Sequence, residues 1–143
     1  MDVSELRQKI LRAIDEGKPD ERAKRRAAVD TARAAYDRFL ELIAVPLFRQ
    51  AQEILKAERR SFIVYAPADG VKLVSDGSSS TFLEFLLDTS SERPQVMGRV
   101  SRTLSRGVTV EEQPLAAGKP VDQLTEEDVA GFLVTEIPKL VKK

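Results

Sequence analysis

From Pro19 to Arg60 the sequence reads as about forty residues of unbroken helix. At roughly 1.5 Å per residue such a segment spans on the order of 60 Å. A chain of 143 residues collapses to a radius of gyration of only about 15 Å. A helix of this length outruns its own domain, so it projects, bends or meets another chain.

The segment is not uniform. It opens with Arg22, Lys24, Arg25 and Arg26 and then becomes rich in alanine. Ala28, Ala32, Ala35, Phe39 and Leu42 form one helical stripe, and Tyr36, Leu40, Ile43, Leu47, Ala51 and Ile54 form a second beside it. Together they are wider than a coiled-coil seam, which predicts contact with more than one surface. Only Glu41 is charged between Phe39 and Phe48, so this stretch is expected to be the most buried. Pro46 lies inside it, where a proline removes a hydrogen bond and clashes with the preceding turn, at about 3 kcal/mol or more. Ala44-Val45-Pro46-Leu47 offers no polar cap and no glycine, which predicts a kink near Pro46 rather than a break.

Ahead of it, Val3, Leu6, Ile10, Leu11 and Ile14 share one helical face. Gly17 is placed to cap that first helix, and Lys18-Pro19 to separate it from the next. Pro19 suits a first helical position, with Asp20 and Glu21 at the positive end of the dipole. An N-terminal helical hairpin is the expectation.

After Arg60 the period changes. Phe62 to Tyr65 and Val71 to Ser75 read as strands around a Pro67-Ala68-Asp69-Gly70 turn. Asp76 to Ser80 reads as a second connection, leading into Thr81 to Asp88. Apolar residues on both faces of that strand predict a central position covered on each side. Gln95 to Leu104 and Val108 to Gln113 complete about five strands, and their short connections make an antiparallel meander the economical topology. Thr125-Glu-Glu-Asp128 resembles a capping box for a last helix with Val129, Phe132, Leu133, Ile137 and Leu140 on its apolar face. Pro138 is expected to kink or end it, leaving Lys139 to Lys143 frayed. The fold class is α+β in one domain, with residues 1–60 as a helical arm and 61–143 as a sheet with its C-terminal helix.

Composition narrows the chemistry. The chain has no histidine and no cysteine. The commonest general base, the commonest transition-metal ligand, thiolate nucleophiles and disulfides are therefore all missing. An oxygen-ligated Mg²⁺ or Ca²⁺ site is still allowed, as is a site built on Tyr, Lys or Ser. Neither a G-x-G-x-x-G nor a Walker-type loop is present, and Glu111-Glu112 on a strand point to opposite faces. No cofactor is expected. Lys+Arg (23) balance Asp+Glu (23), which argues against a dedicated nucleic-acid-binding domain. With no secretory signal pattern and no long apolar run, a cytoplasmic protein without membrane contact is expected.

Arg93, Arg99, Arg102 and Arg106 are the candidates for an anion, ligand or nucleic-acid site, because guanidinium forks bind phosphate and carboxylate in pairs. No aromatic residue is interleaved with them to stack a base. The long helix carries the other candidate, an interface made by Ala28, Ala32, Ala35, Tyr36, Phe39, Leu40, Ile43, Leu47 and Ile54. The expected function is a non-catalytic interaction or assembly module, a homodimer or partner-protein complex through this helix. An anion-binding module and a carboxylate enzyme using Mg²⁺ are the alternatives.

Overall fold

The computed structural model describes residues 2–90 and 93–141, with residues 15–20 described by their backbone alone. Helix α1 (Val3–Phe39) is capped by Asp2, whose carboxylate accepts the Glu5 N–H at 2.9 Å. It continues through a five-residue π-helical turn, Leu40–Ala44, into helix α2 (Val45–Ala57). The irregularity expected at Pro46 is therefore this π-turn just ahead of it. There the Val45 N–H reaches back five residues to the Leu40 carbonyl, and Pro46 falls in the first turn of α2. A wider turn gives the proline ring room and absorbs its missing donor.

The hairpin expected at Gly17 to Pro19 does not form, because α1 passes through it as one helix of 37 residues. A turn there would lay Ile10 and Ile14 against Arg22 and Arg26, a charged surface that gives the arm nothing apolar to bury.

The sheet is a five-stranded antiparallel meander in the order β1 (Phe62–Tyr65), β2 (Val71–Ser75), β3 (Ser78–Asp88), β4 (Gln95–Leu104), β5 (Gly107–Pro114). Gly70 closes the first turn by donating its N–H to the Pro67 carbonyl at 3.3 Å. The second connection is shorter than expected, since Ser78 to Ser80 already belong to β3 and only Asp76-Gly77 turn. The expected polar loop Thr89 to Pro94 joins β3 to β4, and its residues 91 and 92 lie outside the described residues.

One face of the sheet is covered. Val71, Leu73, Leu83, Phe85, Val96 and Val100 point into it and are buried. They meet Tyr36, Phe39, Leu40, Ala44, Phe48, Ala51 and Leu55 from the long helix, and Val129, Phe132, Leu133 and Leu140 from helix α3 (Glu126–Val141). Phe85 is the centre of this core, with ring centroids of Phe48, Phe132 and Phe39 at 5.0, 5.2 and 6.0 Å. Gly98 in β4 lets α3 approach, because a Cβ there would stand 2.5 Å from the Phe132 ring.

The second face of β3 is not covered as expected. Phe82, Glu84 and Leu86 remain half-buried, with Lys72 Nζ 3.9 Å from the Phe82 ring centroid. Nor does Pro138 end α3, which runs on to Val141. Leu140 is buried and Val141 packs against the core, so the last turn is held from its apolar side. Residues 142 and 143 lie outside the described residues.

Candidate functional site

The four arginines do not form one site. Arg99 and Arg102 lie on opposite faces of β4, because strand side chains alternate. Arg99 donates to Glu84 and to Glu112, both at 3.2 Å, so its fork is already engaged on two neighbouring strands. Arg102 stands 3.9 Å from Glu111. Arg93 lies before the start of β4 and Arg106 in the turn after its end, about 40 Å apart along a strand. A polyanion would have to break the Glu84–Arg99–Glu112 ladder to use its central residue.

The long-helix candidates divide by position. Ala35, Tyr36, Phe39 and Leu40 are buried in this chain's own core, and Ala32, Ile43 and Leu47 pack against it. The chain's own core thus occupies most of that face. The Tyr36 hydroxyl donates to the Asp69 carbonyl at 3.0 Å. Burial, followed by the negative charges of Asp69, Asp37 and Glu84, pushes this phenol far above its usual range. Ala28 and Ile54 stay exposed.

An exposed apolar stripe lies elsewhere on the same helix. Val3, Leu6, Ile10, Leu11 and Ile14 are 48–83% exposed, and the part of α1 that bears them projects from the head. The sequence shows this stripe plainly. Pairing it with the following helix in a hairpin hid its exposure.

A trough runs along the other half of α1. Its main hollow, about 450 Å³, is floored by Ala27, Ala28, Thr31, Ala32 and Ala35. Its far wall is the segment Arg93–Gln95 with the loop Gly118–Asp122. A second hollow of about 430 Å³ shares Ala28 and Pro94 and extends toward Glu21 and Arg25. A third, about 150 Å³, continues from Ala35 past Arg38 to Leu42 and Ile43. No pattern along the chain marks the wall, because it is built from two loops distant from the helix.

A separate groove of about 420 Å³ beside α3 contains Glu127, Asp128 and Glu136. Asp128 is the partner of Thr125 in a capping box, and Lys119 Nζ stands 2.7 Å from it. That ammonium, with the Thr125 donors, holds the Asp128 carboxyl below its usual range. Glu136 is 2% exposed, accepts a bond from Gln113 Nε2 at 3.0 Å, and has Lys139 Nζ 3.3 Å from its other oxygen. Eight residues separate Asp128 from Glu136 on α3, about 12 Å along the axis. That exceeds the roughly 5–9.5 Å used by paired acid and base carboxyls.

Among the described residues, no helix is long and apolar enough to cross a membrane, and no group of three or more acidic side chains is gathered to hold a metal ion. Comparison with protein-family models, with curated proteins and with solved structures finds no match to this chain.

Proposed function

We propose that this protein is a non-catalytic interaction and assembly module that self-associates as a homodimer through its long helix. The part of the helix that seeks a partner is Val3–Ile14. One observation carries this reading: five aliphatic side chains share a face of α1 and are 48–83% exposed. Amphipathic helices gain most of their stability from packing the apolar face. A partner surface supplies that packing. The lack of histidine and cysteine supports a role without catalysis. We place the assembly in the cytoplasm, a compartment that a cysteine-free chain suits.

Light scattering on the full chain and on a Leu6→Glu/Ile10→Glu variant tests the proposal. Each buried aliphatic side chain contributes about 1.5–3 kcal/mol, so the variant is expected to dissociate at concentrations where the parent chain is paired. Equal masses for the two proteins would sink the reading.

A further inference from the structure

We infer that the occupant of the alanine-floored trough is the Val3–Ile14 arm of a second copy of this chain, exchanged reciprocally across a two-fold axis. The inference rests on the proposed self-association and names where the arm is seated.

The helix itself supplies the first argument. Ile10 and Ala28 are eighteen residues apart, as are Ile14 and Ala32. Eighteen residues make five full turns at about 3.6 residues per turn. Because α1 is one helix from Val3 to Phe39, the exposed stripe and the trough floor lie on the same side of it. Two copies laid antiparallel therefore place each arm over the other's trough with a single operation, as a two-fold interface requires.

Spacing and size agree with this. From the N-terminus, Val3, Leu6, Ile10 and Ile14 step by three, four and four. Read in the opposite direction, Ala32 and Ala28 step by four as well, while Tyr36 and Phe39 beyond them are covered by the chain's own core. Antiparallel pairing sets Ile14 over Ala28 and Ile10 over Ala32, large side chains against small ones. The main hollow, at about 450 Å³, is open above these alanines. Phe39 and Tyr36 are buried beneath, so Leu6 and Val3 run on into the small hollow beside Ala35 and Leu42.

Charge fits at the end of the contact. Asp2 of one copy arrives beside Arg38 of the other, and the two lie on the same flank of the helix face. The same arm folded back on its own chain at Gly17 to Pro19 would meet Arg22 and Arg26 instead of Ala28 and Ala32. That mismatch favours a second copy over the chain's own arm.

The absence of cysteine makes the test direct. Ile10→Cys and Ala32→Cys chains are prepared separately, mixed, allowed to exchange, and oxidised with diamide. The expected result is a covalent dimer in the mixture, at least tenfold above either variant alone. Three results would overturn the inference. Efficient cross-linking of Ile10→Cys with itself means that arms pair with arms, and the proposed self-association survives without this seating. An internal disulfide in monomeric Ile10→Cys/Ala32→Cys means that the arm closes on its own chain. No cross-link, with the parent chain still of dimeric mass, places the contact elsewhere. As an independent check, Ala28→Lys leaves the arm intact and charges the trough floor. It is expected to weaken dimerisation at least tenfold, and an unchanged dimer would contradict the seating.

Discussion

Gly98 and Tyr36 show how single residues set the spacing between the layers. The Phe132 ring occupies the space that a Cβ on Gly98 would need, and α3 cannot retreat without opening the contact between Phe132 and Phe85. Gly98→Ala is therefore expected to destabilise the fold by about 1–3 kcal/mol, as overpacking of a tight core does. Urea denaturation checks this, and an unchanged midpoint would contradict the packing. Tyr36 ties α1 to the turn between β1 and β2 through the Asp69 carbonyl. Its phenol is held neutral by burial, so the folded chain keeps this proton after the unfolded chain has lost it near pH 10. Stability from this residue is whole below about pH 10 and is lost as pH rises beyond it. Tyr36→Phe is expected to lose less stability than the parent chain between about pH 8 and pH 11. Equal losses would show that Tyr36 is not the group responsible.

At the scale of elements, period and turn chemistry made most of the fold legible in the sequence. The Asp128 cap is an example, because Thr125 and Asp128 are recognisable as a pair from their spacing alone. Asp128→Ala removes both that cap and the Lys119 partner, and is expected to lower stability by about 1–2 kcal/mol. The stabilisation by Asp128 is present above the usual carboxylate pKa and is lost as pH falls below it, so the gap between variant and parent is expected to narrow in thermal melts as the pH is taken down through the acid range. A constant difference across that range would contradict it.

What the sequence concealed was tertiary. Gly17 and Pro19 read as a helix boundary, yet continuity was decided by what a turn there would have placed face to face. Pro138 reads as a stop, yet Leu140 anchors the turn beyond it. Of the candidate site, the arm stripe was visible as a pattern but not as an exposed surface. The trough was invisible, because its wall comes from Arg93–Gln95 and Gly118–Asp122, far from Ala28 in sequence.

For the whole molecule, the long helix has two jobs with different surfaces. From Ala35 to Leu55 it forms one layer of the head, covering the sheet beside α3. From Val3 to Ile14 it carries an apolar face away from that head, and the alanine trough lies between. On the proposed reading, the stripe of large aliphatic residues and the floor of small ones, in phase on one helix, make the chain complementary to itself. Sedimentation equilibrium of the full chain over a concentration series reaching tens of micromolar tests that claim most directly. The account predicts a mass rising from one chain to twice the 15.9 kDa chain mass and no further, as a closed two-fold contact requires. A mass that stays at one chain throughout, or climbs past two without a plateau, would contradict it.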